Sequence, residues 1–151
     1  MNAIEQLDSD LLLLRTLAEF RHELRRFLHF SEAAATDAGL QPQQHQLLLQ
    51  VAGAPDGAEV TISYAAERLS LKHNSTVELV DRSEREGLLS RNADGIDKRR
   101  ALLRVTRKGA RILSQLSVVH ARELNEMAPR LVKALRQIRS NAAASLETEA
   151  R

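Results

Sequence analysis

The sequence contains no cysteine, which excludes disulfide bonds, thiolate metal sites and a cysteine-based redox switch. Aromatic residues are scarce, and the whole set is Phe20, Phe27, Phe30 and Tyr64. The core must therefore be aliphatic, which suits helix packing better than a β-sandwich or a nucleotide pocket with stacking rings. No apolar run approaches the length of a membrane span, and the first residues lack the basic segment of a secretory signal. We therefore expect a cytoplasmic protein with no membrane partner.

Signatures of catalysis and of metal binding are also missing. There is no nucleophile elbow and no phosphate-binding loop. The histidines form no HExxH motif or short cluster, so the sequence predicts neither a metal site nor a cofactor. An enzyme that uses histidine and carboxylate stays open as a rival interpretation, but no spacing in the chain supports it.

The charge is unevenly distributed along the 151 residues. Residues 1–60 carry 4 basic and 9 acidic side chains, whereas residues 61–109 carry 11 basic and 7 acidic ones. The strongest excess lies between positions 91 and 108, where seven basic residues accompany only Asp94 and Asp97. Such a patch favours a polyanionic partner, and the alternative is a solvated basic hairpin.

Apolar periodicity predicts helices over most of the chain. A long amphipathic helix is expected from Asp10 to about Ala35, and a second, opened by Gln41-Pro42, to about Ala52 with Leu47, Leu48, Leu49 and Val51 buried. Thr61 is expected to cap a third helix, Ile62 to Leu69. A further helix should run from Thr106 to about Met127, with a break or kink at Pro129 before a last helix.

The stretch 74–109 has a different pattern. A short helix would place Val77, Leu79, Val80 and Ser83 on one side and Asn74, Ser75, Glu78, Arg82 and Arg85 on the other. Gly87 ends this helix, and two β-compatible runs follow at 88–91 and 101–105, with a turn-forming Asn-Ala-Asp-Gly segment between them. Thr106 can cap the next helix. The order of helix, basic hairpin and helix indicates a winged helix-turn-helix.

The motifs of this stretch resemble those of the multiple-antibiotic-resistance regulator (MarR) family. The resemblance rests on Asp97-Lys98-Arg99 as a D-x-R, on Leu103-Arg104-Val105 as a strand end and on Thr106-Arg107-Lys108-Gly109 as a T-x-x-G. The segments 76–82 and 86–91 are similar to the family's recognition helix and wing entry. The likeness is strong over about residues 61–109 and architectural elsewhere.

The resemblance implies a mainly α fold with a small β-wing in a single domain, 1–151. Within it, 42–106 would form the winged helix-turn-helix region, and 10–35 and 107–140 the N- and C-terminal dimerisation helices. The implied function is a sequence-specific transcriptional regulator that binds double-stranded DNA as a homodimer on a pseudo-palindromic operator, most often a repressor released by a small ligand. The alternatives are a helical protein-interaction module without DNA binding and a monomer that folds its ends over its own core.

Candidate DNA contacts follow from side-chain chemistry and from the resemblance. On the recognition helix, amide, hydroxyl and carboxylate groups can read base edges and basic groups can bind phosphates; the candidates are Lys72, His73, Asn74, Ser75, Thr76, Glu78 and Arg82. Pairing of Glu78 with Arg82 and of Asp81 with Arg85 is the alternative role for the charged residues. The resemblance assigns minor-groove insertion to Arg99, oriented by Asp97. Lys98, Arg100 and Arg91 are expected to bind phosphates.

Two further positions carry expectations. His22, Arg25, His29 and Phe30 lie near one another on the first helix, and a cationic rim there would suit an aromatic carboxylate as effector, although plain helix-face histidines are favoured. Ser83 stands where the resembling family usually has leucine. If this site is buried, Ser83→Leu is expected to stabilise the fold.

Overall fold

The computed structural model describes residues 4, 10–93 and 100–149. Its elements in chain order are α1 (Leu11–Asp37), α2 (Pro42–Ala52), α3 (Ile62–Leu69), α4 (His73–Arg85), β1 (Leu89–Ala93), β2 (Ala101–Val105) and α5 (Arg107–Glu149). The two strands form one antiparallel sheet. The predicted class, mainly α with a small β-hairpin, is confirmed.

The starts of α2 and α3 follow from local capping. Gln41 has an extended backbone and its N–H donates to Gln44 Oε1 at 2.9 Å, while Pro42 occupies the first helical turn. Thr61 Oγ1 accepts from the Tyr64 N–H at 3.2 Å. Both helices have the predicted bounds, because each start is specified by a side chain within three residues.

The turn between α3 and α4 depends on a left-handed residue. Ser70 has φ +54° and its N–H donates to backbone carbonyls of α3, which ends the helix after two turns. The chain then passes through Leu71 and Lys72 into α4. Two short helices joined by a turn of this length form the helix-turn-helix arrangement.

The hairpin is in register from Leu89 opposite Val105 to Ala93 opposite Ala101. The observed β1 begins one residue later and extends further than the predicted run. One backbone hydrogen bond connects β2 to the segment before α3, since the Leu103 N–H donates to Val60 O at 2.7 Å. The hairpin is therefore attached to the segment that precedes α3.

The sequence predicted a break or kink at Pro129. A break is wrong, because α5 is one helix of 43 residues with Pro129 inside it. Proline removes one backbone donor, which leaves the carbonyl of Asn125 without its helical partner. Asn125 and Pro129 are both exposed, so water can hydrate that carbonyl. Met127 and Ala134, on either side of the proline, are buried and hold both halves of the helix in place.

The chain divides into two compact units, one of Met1–Phe30 with His120–Arg151 and one of Ser31–Val119. The second unit contains the sheet and an aliphatic core that includes Leu47, Leu48, Leu79, Val80, Leu88, Leu89, Leu103 and Leu116. Leu49 was predicted to be buried but is 40% exposed, since it lies on the outer side of α2.

The first unit contains a buried charge. Glu23 is 6% exposed, and its carboxylate lies 3.1 Å from Arg130 Nε and 3.5 Å from Arg26 Nη1. Pairing with these two arginines makes the burial of the Glu23 carboxylate tolerable.

The His120 ring in the same unit lies edge-on to Phe27 and Phe30, with centroid separations of 6.0 and 5.6 Å.

Candidate nucleic-acid interface

Helix α4 has one buried and one exposed side. Leu79 and Val80 are buried in the core, together with the fully buried Ser83, whose hydroxyl donates to Leu79 O at 2.8 Å. Of the candidate DNA-contacting residues, the exposed ones lie at the turn and on the first half of the helix: Lys72, His73, Asn74, Ser75 and Glu78. The packing of α4 thus fixes which polar groups face away from the core.

Thr76 does not belong to that exposed set. Its side chain is 0% exposed and its hydroxyl donates to the Lys72 carbonyl at 3.0 Å. A buried side chain that is already bonded to its own helix cannot reach a base edge, which corrects the prediction for this residue. Thr76 instead closes the first turn of α4, where the N-cap residue Lys72 provides no side-chain cap.

Arg82 is half-buried and donates through Nη1 to Gln41 Oε1, at the start of α2. Within the described part of the chain, the ion pairs do not include Glu78 with Arg82 or Asp81 with Arg85. The alternative explanation for the charges of α4 is therefore not supported. Arg82 connects α4 to α2, and whether it also contacts DNA stays a prediction.

A second bond joins the same two helices. Gln44 is 1% exposed, and its Nε2 donates to Glu86 Oε2 at 2.9 Å, just beyond the end of α4. Sequence reasoning missed this contact, because the partners are 42 positions apart and no local spacing connects them. The only local signal was the Gln41-Pro42 helix start. Together, the Arg82–Gln41 and Gln44–Glu86 bonds fix the C-terminal end of α4 against the N-terminal end of α2.

The wing is described at its base and along its strands. Asp97, Lys98 and Arg99 lie outside the described residues, so their roles stay predictions. Arg100 is described, and its Nη2 donates to a carboxylate oxygen of Glu59. The Glu59 side chain is 62% exposed and that of Arg100 40% exposed, so water screens this ion pair.

Arg91 of β1 is held by two carboxylates of α4. Its Nη2 donates to Asp81 Oδ1, its Nε donates to Glu84 Oε2 at 3.3 Å, and its backbone N–H donates to the same Glu84 oxygen at 3.2 Å. The pKa of the Arg91 guanidinium is raised above its ordinary value, chiefly by the hydrogen bond to Glu84 and further by that to Asp81, whereas burial acts in the opposite direction. In the structure, the Nε, Nη2 and backbone N–H of Arg91 donate to α4, and its predicted binding to phosphate stays a prediction.

The base of the wing explains the T-x-x-G motif. Thr106 Oγ1 accepts from the Gly109 N–H at 3.1 Å, which confirms the predicted cap, and donates to Gly87 O at 2.6 Å. The Thr106 N–H donates to Leu88 O at 3.1 Å. A Cβ on Gly109 would lie 2.3 Å from that same oxygen, so only glycine permits α5 to start this close to the chain entering β1.

The four residues of the predicted effector site all lie in the first unit. His22, Arg25 and His29 are exposed, and Phe30 is half-buried against His120. A cavity of about 320 Å³ in this unit is lined by other side chains: Leu12, Arg15, Thr16, Glu19, Glu23, Arg130, Lys133, Ala134 and Gln137. An effector site at the four predicted residues stays a prediction.

Across positions 4, 10–93 and 100–149, no group of three or more His, Cys, Asp or Glu side chains could hold a metal ion. In the same part of the chain, no helix combines the length and the apolar composition needed to cross a bilayer.

Comparison with known proteins gives a consistent result. A family model described as MarR family matches residues 38–100. A curated protein of Thauera aromatica, described as a putative transcriptional regulatory protein for the hcr operon, is 25% identical over 116 residues, which are 77% of this chain and 68% of that protein.

Solved structures share the fold. The PcaV transcriptional regulator of Streptomyces coelicolor, in complex with its natural ligand, is 27% identical with a TM-score of 0.57, over 82% of this chain and 92% of that one. A mutant of S. aureus MepR bound to an oligodeoxyribonucleotide is 19% identical with a TM-score of 0.60, over 85% and 94% of the two chains.

The matched segment, residues 38–100, contains the helix-turn-helix, β1 and most of the wing, which are the elements that position the candidate DNA contacts. Over residues 38–100, this chain thus matches the MarR family, and the curated relative is described as a transcriptional regulator.

Proposed function

We propose that the protein is a homodimeric repressor that binds a pseudo-palindromic operator and is released by a small ligand. The observation that carries this proposal is the sidedness of α4. Its buried side contains Leu79, Val80 and Ser83, and its exposed first half, with the preceding turn, presents several polar side chains. The second helix of a helix-turn-helix enters the major groove with such residues towards the bases.

The exposed groups of α4 have the chemistry that base reading requires. Asn74 can form a bidentate pair with adenine, Ser75 can bond several bases, and the Glu78 carboxylate can accept from the amino group of cytosine. Lys72 and His73 lie at the N-terminal end, where the helix dipole and free N–H groups also favour phosphate. Base discrimination would therefore lie in the first turns of α4 and affinity at its start.

The wing supplies the second contact in this proposal. Arg99, oriented by Asp97, would enter the minor groove, and Lys98 and Arg100 would bind phosphates. The pairing of Arg100 with Glu59 is compatible with that role, because an ion pair this exposed contributes about 0 to 1 kcal/mol and can exchange for a phosphate.

The dimer is proposed from the exposed apolar side chains of the first unit. Leu12 is 63% exposed, Leu28 59%, Val132 43% and Leu135 46%. Large apolar residues recurring along both terminal helices favour burial against a second copy. Sedimentation should accordingly give a dimer, whereas a monomer at working concentration would contradict this part of the proposal.

Ligand release is proposed by analogy and from residue chemistry. PcaV, at 27% identity, was solved with its natural ligand. In this chain the side chains of His22, Arg25 and His29 are exposed on α1, where they are accessible to an anionic effector such as an aromatic carboxylate. Addition of aromatic carboxylates to the protein–DNA complex should reduce binding, and His22→Ala with Arg25→Ala should remove that response.

The deciding experiment is selection of duplexes from a random pool, followed by footprinting. We expect enrichment of an inverted repeat whose half-sites lie about 34 Å apart, one helical turn. Asn74→Ala should weaken binding at one base position in each half-site, and Gln43→Ala, an exposed change on α2, is the matched control. Failure to enrich any duplex would reject the proposal in favour of a helical interaction module.

A further inference from the structure

Arg91 connects two elements that the DNA would contact separately. Strand β1 belongs to the wing and α4 to the helix-turn-helix. Glu84 accepts from both the side chain and the backbone N–H of Arg91, at 3.3 and 3.2 Å. The bond to the backbone means that Glu84 fixes the position of the strand itself as well as the guanidinium.

The same contacts change the charge of the surface. Asp81 and Glu84 lie three residues apart, on the same side of α4. Their side chains are 43% and 40% exposed, so without a partner they would present two negative charges between the recognition helix and the wing. Phosphates in that region would be repelled.

The geometry does not favour Arg91 as a phosphate ligand. Its side chain is 29% exposed, less than either carboxylate, and both Nε and Nη2 donate to them. To reach a phosphate, the guanidinium would have to leave two charged acceptors and expose both. An arginine fork satisfied by two carboxylates is a stable local arrangement.

We propose that Arg91 is a positioning residue of the DNA-binding surface, which fixes β1 against α4 and masks Asp81 and Glu84 from the DNA without contacting it. This inference rests on the proposed function, because it assumes that α4 and the wing bind one duplex. It differs from the sequence-based prediction, in which Arg91 binds a phosphate directly.

The test is a double-mutant cycle in affinity for the selected duplex, at fixed salt, with wild type, Arg91→Ala, Glu84→Gln and the double variant. Arg91→Ala should weaken binding by about tenfold or more. Adding Glu84→Gln to Arg91→Ala should raise the affinity for the duplex at least about fivefold. Such coupling is expected when two residues share an ion-pair network. In the wild-type background Glu84→Gln should give no such gain, because Arg91 already neutralises that carboxylate.

Two comparisons separate masking from simpler effects. Arg111→Ala removes the same charge from an exposed position on α5, and its combination with Glu84→Gln should be additive. Arg91→Lys should bind the duplex more tightly than Arg91→Ala but more weakly than the wild type, since an ammonium cannot donate in the fork geometry that Asp81 and Glu84 accept. Melting temperatures of all variants should change little, since the pair is partly exposed.

Each outcome decides a point. Additive effects of Arg91→Ala and Glu84→Gln on affinity would mean that Arg91 contacts the phosphate itself and would overturn the inference while leaving the proposed function intact. Coupling in melting temperature without coupling in affinity would reduce Arg91 to a structural residue and would also overturn it. If the wild type binds no duplex, the proposed function fails and the inference fails with it.

Discussion

The close approach at Gly109 predicts that Gly109→Ala destabilises the protein. An added Cβ would lie 2.3 Å from Leu88 O and 2.9 Å from Val105 Cγ1. The oxygen is backbone and also accepts the Thr106 N–H at 3.1 Å, so it cannot retreat without weakening that bond. Leu88 itself is 2% exposed and packed in the core.

Two opposing effects set the magnitude. Alanine is a better helix former than glycine by about 0.8 to 1.0 kcal/mol, which would favour the variant. Overpacking of a filled site typically costs about 1 to 3 kcal/mol, and a weakened backbone hydrogen bond adds about 0.5 to 1.5 kcal/mol. The steric effect should win, with a net loss of roughly 1 to 3 kcal/mol. For a chain of 151 residues, that loss corresponds to a melting temperature about 2 to 12 °C lower.

The assay is urea unfolding monitored by circular dichroism. All variants are compared at one protein concentration, because the stability of the proposed dimer would depend on it. Ala110→Gly, at the exposed neighbouring position in the same helical turn, is the control for helix propensity and should cost no more than about 1 kcal/mol. An unchanged or higher midpoint for Gly109→Ala would refute the reasoning, since it would mean that the strand entry moves away from α5 without cost.

Three other substitutions test the wing, the exposed side of α4 and the buried side of α4. Arg99→Ala should weaken operator binding strongly in a gel shift, while thermal melts should show a change of less than about 0.5 kcal/mol in the free energy of unfolding. Wild-type affinity in this variant would reject the wing assignment. Glu78→Gln should lose about 1 to 3 kcal/mol of binding free energy at one base position per half-site, measured over a matrix of operators. An equal gain in affinity for specific and random DNA would reject base reading. Ser83→Leu was expected from the sequence to stabilise the fold. It should instead lower the free energy of unfolding by about 1 to 3 kcal/mol, because Ser83 is fully buried and its hydroxyl donates to Leu79 O. Ser83→Ala should be nearly neutral, and a stabilised leucine variant would reveal unfilled space.

The elements that local chemistry specifies could be predicted from the sequence. Thr61 and Thr106 cap their helices through bonds to residues three positions ahead, and both starts were correct. Pro129 was misread, because whether a proline breaks a helix depends on the packing around it. Here that packing keeps one continuous helix.

The parts of the site that were missed depend on long-range contacts. The periodicity of α4 correctly separated Leu79 and Val80 from Asn74, but it could not place Thr76, whose burial depends on how α4 packs. The commitment of Arg91 to carboxylates seven and ten positions earlier is likewise invisible to motif spacing, which registers only that the wing is basic. Side-chain identity gave the candidates, and tertiary packing decided which of them are accessible.

The bonds at the base of the wing hold both ends of the hairpin together. Thr106 joins Gly87 and Leu88, so the chain enters and leaves the hairpin at a single point, and Lys108 Nζ adds a bond to Glu86 O at 2.8 Å. In topology, the hairpin is an insertion between α4 and α5. Doubling the length of such a loop costs only about 0.6 kcal/mol. The length of the hairpin can therefore change by adding or deleting residues, while α4 keeps its position in the core.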